Sequence, residues 1–408
     1  MASDLVNDFL RGDFSRSIYV QRARELVPVL KKRAAQQWRH PKVLDETIAD
    51  LQAAGFFQML QPRRWGGAET TPLESFEVAT ILAEADASVA WVLGVVGIHA
   101  YHLAFFDERA QQEVWGKNPK TLISSPYAPG RATRVDGGFV LNGRWSFSSG
   151  GDHCDWTFLG ANVEGEENTA TARMSGLPAY TFLLPRSDYE IVPNWNVHGL
   201  RATGSNDVIV KDAFVPSYRT LQWEQVLTNT APGLEQNNGL LYRLPFFQIF
   251  SRATQAPSAL GALKGMVQVF IDFNAGKVSR HGVHIGQNSE ATLLVAECLS
   301  HIEEMKGQVY RNYARMVAEA EGGPVISMDE RRSFRFQGAQ IPPRCARHAG
   351  ELYRIAGGHA IYENTAFGRY LNDLMAIQTH QLNNYQLHAR AWAGTLLGDA
   401  TAAQNYYA

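Results

Sequence analysis

The sequence predicts a segregated α+β chain, with helices first, then a block of short strands, then helices again. Two observations carry this reading. Apolar residues recur at three-to-four spacing up to about Asn118 and again from about Gln248. Between them the pattern changes near Thr121 to short β-rich runs separated by turn residues. The predicted units are an all-helical segment 1–119, a central β-barrel or sandwich 120–222, and a helical segment 223–408. No G-x-G-x-x-G follows a strand and no phosphate-loop motif occurs, so alternating βαβ units have no support.

In the first segment, Leu26, Val29 and Leu30 form one helical stripe, and Leu44, Ile48, Leu51 and Phe56 form another. Gly55, Pro62, Gly66 and Gly67 punctuate the chain before two further helices, Pro72 to Ala85 and Ser88 to Phe106, the latter with Ser88 as its N-cap. The stretch from Ala87 to Phe106 is the longest apolar run, yet His99, His102, Gly94 and Gly97 interrupt it. It therefore reads as a buried helix rather than a membrane span. Glu74, Glu77, Glu84 and Asp86 read as a solvated helix face.

The strand candidates are Thr121 to Tyr127, Gly138 to Asn142, Trp156 to Ala161, Tyr180 to Leu184 and Asp207 to Phe214. Asp136-Gly137-Gly138 and Asn142-Gly143 signal hairpins, and Glu164 to Gly176 reads as an exposed hairpin loop. In the last segment Pro257, Gly322-Gly323-Pro324 and Gly357-Gly358 mark helix boundaries.

Composition narrows the function. The chain has 408 residues, 38 Lys plus Arg against 40 Asp plus Glu and no basic block, which argues against nucleic acid as a partner. Cys154, Cys298 and Cys345 are isolated, so neither a disulfide framework nor a metal site is indicated. The polar start MASDLVNDFLRGDF is not a secretion signal, and together with the cysteines it predicts a cytoplasmic protein. Nine Trp suit a site for flat ligands.

Three segments resemble the acyl-CoA dehydrogenases in order and spacing. They are Gly55-Phe56-Phe57 leading to Leu60, Pro62, Trp65, Gly66 and Gly67; Leu141 to Ser149 running into Asp155 and Trp156; and Gly199 to Asn206 leading to Phe214-Val215-Pro216. Within that superfamily the chain is similar to flavin-dependent oxygenases that hydroxylate phenols, such as 4-hydroxyphenylacetate 3-hydroxylase and secosteroid-phenol hydroxylases. Ile98 to Phe106 resembles their first His motif and Ile123 to Pro129 their serine-rich strand. Ser148-Ser149-Gly150-Gly151-Asp152-His153 resembles their SSGCDH turn, with Gly151 in place of Cys, and Arg201 to Asn206 resembles their RGTGSN loop.

The resemblance implies a C-terminal four-helix bundle, a homotetramer, and a two-component monooxygenase. Such an enzyme takes reduced flavin, FMN or FAD, from a separate NAD(P)H-dependent reductase and reacts it with O2. The C4a-hydroperoxide so formed must be kept from water. By resemblance Ser149 is the hydroxyl at flavin N5, Ser148 and Trp145 line the flavin, and Arg201, Thr203, Ser205, Asn206 and Arg280 are cofactor candidates. His99, with Ser125 as its hydroxyl partner, matches the phenol-contacting residues, and a histidine suits a phenol proton near neutral pH. Trp91 and Tyr101 are pocket-lining candidates.

His380, seven residues beyond Asp373 in Arg369-Tyr370-Leu371-Asn372-Asp373, matches the second histidine of the site. His153 reads as ordering its turn and His102 as packing one turn from His99. Gln381 stands where acyl-CoA dehydrogenases often carry their glutamate base, which weighs against α-proton abstraction. The rivals are an acyl-CoA dehydrogenase or oxidase, a heteroatom monooxygenase on the same scaffold, and a non-catalytic ligand-binding protein.

Overall fold

The computed structural model describes residues 2–128, 130–166, 178–278, 282 and 284–402. Arg280, Pro129, most of the 164–176 loop and the ending Asn405 to Ala408 lie outside the described residues.

Six helices precede the strands: α1 (Ala2–Leu10), α2 (Ile18–Arg39), α3 (Asp45–Ala53), α4 (Pro72–Ala83), α5 (Ala87–Leu103) and α6 (Glu108–Trp115). Their starts follow capping chemistry. The Ser17 hydroxyl accepts the Val20 N–H at 3.1 Å at the head of α2, and Thr71 with Pro72 opens α4. The cap of α5 is Asp86, whose carboxylate accepts the Val89 N–H at 3.1 Å. Ser88, predicted for that place, is instead buried inside the first turn. Asp86 wins because its carboxyl oxygen reaches the Val89 N–H that the start of the helix leaves without an intrahelical partner.

The carboxylates of this stretch also correct the sequence reading. Glu74, Glu77 and Asp86 are buried rather than solvated. Each is satisfied: Glu74 accepts from Ser17 and Thr70, and Glu77 pairs with Lys306 at 3.1 Å and accepts from Tyr310. Ser17, Lys306 and Tyr310 come from distant segments, so a local helical pattern could not reveal them.

Eight strands form one sheet: β1 (Ile123–Ser124), β2 (Gly130–Val135), β3 (Gly138–Ser148), β4 (Trp156–Val163), β5 (Tyr180–Pro185), β6 (Glu190–Val192), β7 (Asn206–Pro216) and β8 (Thr220–Gln222). Their order is β6-β7-β3-β2-β4-β5-β8, with β1 beside β4. β1 and β2 run parallel to β4, and the other pairs are antiparallel. The Asp136-Gly137 hairpin joins β2 to β3 as predicted. Asn142-Gly143 makes no hairpin; it sits inside β3 at a register shift against β7, where the extra residue lies on β7 and Asp212 takes a φ of +48°. β2, β6 and β8 escaped the sequence reading because they are short or half-exposed, with little alternation.

The last segment carries α7 (Trp223–Leu227), α8 (Phe246–Phe250), α9 (Gln255–Asn274), α10 (Ser289–Ala320), α11 (Met328–Ala339), α12 (Ile341–Ala356), α13 (Phe367–Gln378) and α14 (Tyr385–Ala389). Helix α9 is the central rod, packing on α4 and α5 on one side and on α10, α12 and α13 on the other. One continuous apolar core therefore joins the N-terminal helices to the C-terminal bundle. The β-domain keeps a smaller core of its own around Phe139, Leu141, Trp145, Leu159, Phe182 and Val208.

Candidate active site

Helix α5 is the spine of the site. Its N-terminal half faces the turn after β3. The Trp91 indole N–H donates to Ser149 Oγ at 3.1 Å, and the same indole meets His380 edge-on at 5.7 Å. Ser149 Oγ lies 2.7 Å from Ser205 Oγ, which lies 2.6 Å from Thr203 Oγ1. Five predicted residues from three regions of the chain thus meet in one cluster. His380 Nδ1 accepts the Leu382 N–H at 3.2 Å, and burial pushes its ring down to about 4.

The 199–206 loop reaches this cluster because the bundle holds it. Leu200 has φ +53°, a conformation that non-glycine residues rarely adopt. Its N–H donates to the Asp373 carboxylate at 2.6 Å. Burial pushes Asp373 up to about 8, with the neighbouring Asp86 adding to the effect. Asn206 serves the same loop: its side-chain oxygen accepts the Asn194 and Trp195 N–H groups at 3.1 Å each, and its amide donates to Asp152 at 3.1 Å. Arg201 lies over the Trp38 ring at 5.5 Å.

The other half of α5 carries His99. Its Nδ1 lies 2.6 Å from the Ile123 carbonyl, which can only accept, so Nδ1 carries the proton and Nε2 holds the lone pair. Burial pushes the ring down to about 4, so it is neutral at working pH. Phe158 packs edge-on at 5.5 Å and Tyr127 at 6.0 Å. Ser125 is buried nearby and hydrogen-bonds the Tyr127 phenol, which also lies 2.9 Å from His102 Nδ1. His102 stacks on Trp223 at 5.0 Å, so it packs as expected but also anchors Tyr127.

Two predicted residues are placed elsewhere. Trp145 is sealed in the β-domain core, its indole donating to the Gly160 carbonyl at 2.8 Å. Tyr101 stacks between Tyr242 and Phe246 on another face of α5. Ser148 is buried with no side-chain hydrogen bond among the described residues, and a Cβ built at Gly151 would stand 2.7 Å from its hydroxyl. Glycine at position 151 therefore leaves that hydroxyl its room.

Sequence reasoning missed Phe147. It has φ +71° at a second register shift of β3, and that bulge turns it out until it is 68% exposed. Its ring meets Trp195 edge-on at 6.1 Å. Trp195 and Asn206 also line a cleft of about 260 Å³ with His40, Lys42 and Asp152. An exposed aromatic at a strained position beside Ser149 fits a flat ligand. Tyr127 and Asp373 were quoted in the motifs but given no role, since both act through partners distant in sequence.

The burial of these rings has a consequence for stability. His99, His102, His380 and His388 are all held below their ordinary value by burial. The unfolded chain therefore binds more protons below pH 6.5, and these groups lose stability as pH falls toward 4. Asp86, Glu74 and Asp373 are pushed up and act in the opposite sense. The histidines outnumber them, so urea unfolding is expected to show stability falling as pH drops from 6.5 to 5. Above pH 6.5 Asp373, pushed up to about 8, predicts a decline toward pH 8. A midpoint that rises steadily from pH 7 to 5 would contradict this.

The comparisons with known proteins agree with this architecture. The Acyl-CoA dehydrogenase N-terminal domain family matches residues 18–118 and the C-terminal domain family residues 253–385. The flavin-dependent monooxygenase oxygenase subunit HsaA of Mycobacterium tuberculosis is 35% identical, over 88% of this chain and 90% of that protein. The FADH2-dependent resorcinol hydroxylase oxygenase component of a Rhizobium species is 30% identical over 93% of each. The solved structure of 3-HSA hydroxylase from Rhodococcus sp. RHA1 superposes with a TM-score of 0.86 at 31% identity, over 94% of this chain and 97% of that one. The chain belongs to the oxygenase subunits of flavin-dependent monooxygenases built on the acyl-CoA dehydrogenase fold, enzymes that act with reduced flavin and O2.

Proposed function

We propose that this oxygenase hydroxylates a phenolic ring held by His99, with the flavin at Ser149. The observation that carries the reading is the layout of α5. Trp91, bonded to Ser149, and His99 are eight residues apart, roughly 12 Å along the axis at 1.5 Å per residue. That spacing leaves room for a substrate ring between a flavin edge and the histidine.

The residues present fit a flavin. Ser149 offers a buried hydroxyl, Gly150 and Gly151 remove side chains beside it, and Phe147 with Trp195 offers an aromatic wall. We assign Ser148, Arg201, Ser205 and Asn206 to the same cofactor site. Bound reduced flavin supplies the activated oxygen on meeting O2. The protein excludes water with the Phe158, Tyr127 and Trp223 rings and orients the phenol through His99 Nε2.

At about 4, His99 is far less basic than a phenolate, whose conjugate acid lies near 10. The gap, about 8 kcal/mol, keeps the proton on the phenol in the resting complex. His99 accepts a hydrogen bond there and takes up the proton only as the ring gains the oxygen. Ser125 and Tyr127 fix the neighbouring wall, and His380 with Trp91 closes the flavin side.

The reduced flavin, FAD or FMN, comes from a separate NAD(P)H-dependent reductase. A cytoplasmic homotetramer is the assembly we favour: Ile361, Tyr362, Leu396 and Leu397 leave apolar surface exposed near the C-terminal helices that a neighbouring subunit would cover. The test mixes anaerobic protein and reduced FAD or FMN with oxygenated buffer and follows the flavin absorbance and product. Reoxidation slower than that of free flavin, hastened by a phenol that becomes hydroxylated, supports the reading. Reoxidation indistinguishable from free flavin, or bleaching of bound oxidised flavin by acyl-CoA, would sink it.

A further inference from the structure

Four residues that meet at the turn after β3 fix the direction of a hydrogen-bond chain. Thr203 Oγ1 lies 3.0 Å from the Leu200 carbonyl, Ser205 Oγ 2.6 Å from Thr203 Oγ1, and Ser149 Oγ 2.7 Å from Ser205 Oγ. Each of these three oxygen–oxygen contacts needs one proton between the atoms, since lone pairs facing each other repel. The three hydroxyls carry three protons and the carbonyl carries none. Only one assignment satisfies all three contacts. Thr203 donates to Leu200, Ser205 donates to Thr203, and Ser149 donates to Ser205. The Trp91 N–H, which can only donate, enters Ser149 from the other side at 3.1 Å.

The start of the chain is itself pinned. The Leu200 carbonyl follows from that residue's φ of +53° and from the Leu200 N–H bond to Asp373 at 2.6 Å. Ser149, Thr203 and Ser205 are all buried, so bulk water does not complete or reverse the chain.

We infer that Thr203 is a positioning residue that turns Ser149 into a hydrogen-bond acceptor, and that the site thereby selects reduced over oxidised flavin. The inference rests on the flavin reading above. With its proton committed to Ser205, Ser149 presents a lone pair. Reduced flavin carries a hydrogen on N5 and matches it. Oxidised flavin has a lone pair on N5, which meets the serine oxygen unfavourably unless the chain breaks. Product flavin is thus released by the same polarity that captured the reduced form.

The test measures affinity rather than turnover. Oxidised and dithionite-reduced FAD and FMN are titrated anaerobically into the wild-type chain, Thr203→Val and Thr203→Ser. Thr203→Val removes the acceptor for the Ser205 proton, which frees Ser205 to donate to Ser149 and Ser149 to donate to oxidised N5. The ratio of oxidised to reduced Kd should fall about 10-fold, the worth of one hydrogen bond. Thr203→Ser should restore it. Ser205→Ala, which leaves the Ser149 proton without its acceptor, should lower the ratio in the same direction and serves if Thr203→Val does not fold. Equal weakening of both forms, leaving the ratio at its wild-type value, would overturn the inference alone. Failure of the wild-type chain to bind either flavin would overturn the flavin reading and the inference with it.

Discussion

His99→Asn is expected to lower the rate of phenol hydroxylation by about 100-fold or more, within the range for loss of a positioned proton acceptor, with the affinity for reduced flavin unchanged. The asparagine side chain can still meet the Ile123 carbonyl that His99 bonds at 2.6 Å, but it has no Nε2 to receive the phenol proton. Flavin binding is spared because the Ser149 cluster sits at the opposite end of α5 and shares no hydrogen bond with His99. The measurement is product formed per reduced flavin consumed, alongside a flavin titration. Uncoupling should rise as hydroxylation falls, with oxygen reduced to hydrogen peroxide instead. A variant that hydroxylates the phenol at the wild-type rate would remove His99 from the chemistry.

Gly199→Ala is expected to destabilise the chain by about 1–3 kcal/mol, the usual cost of forced overpacking, and to abolish measurable flavin binding. A Cβ at Gly199 would stand 2.0 Å from the Asn372 carbonyl and 3.0 Å from the Ala376 side chain. Asn372 lies inside α13, so that carbonyl cannot swing away without breaking the helix. The loop must move instead, and Leu200 then leaves Asp373, taking Thr203 and Ser205 from Ser149. Urea unfolding and a flavin titration test the two halves separately. Full flavin affinity in a destabilised variant would show that the loop reaches the site without α13.

The α+β order was legible because it depends on local periodicity. The helices of the first and last segments and the longer strands follow from residue spacing, and the paired serines, His99 and His380 stood out within motifs. Capping and bulges, however, were decided by competition. Asp86 displaced Ser88 as the cap of α5, and the register shift before Ser148 placed Trp145 in the core and Phe147 outside. A period-two pattern cannot show this, because one extra residue in a strand reverses every side chain beyond it.

The sequence by itself determined which residue types are available: a helix with two histidines, a pair of serines after a strand, and a Thr-Gly-Ser loop. Only the tertiary structure decided how they combine. Trp91 and Ser149 are 58 residues apart, and Leu200 and Asp373 are 173 apart. Bonds at such separation exist only once α9 has joined the helical segments around one core. That packing also buries His99 and Asp373 and so moves their protonation in opposite directions. Desolvation depends on all neighbours at once, and no stretch of sequence carries it.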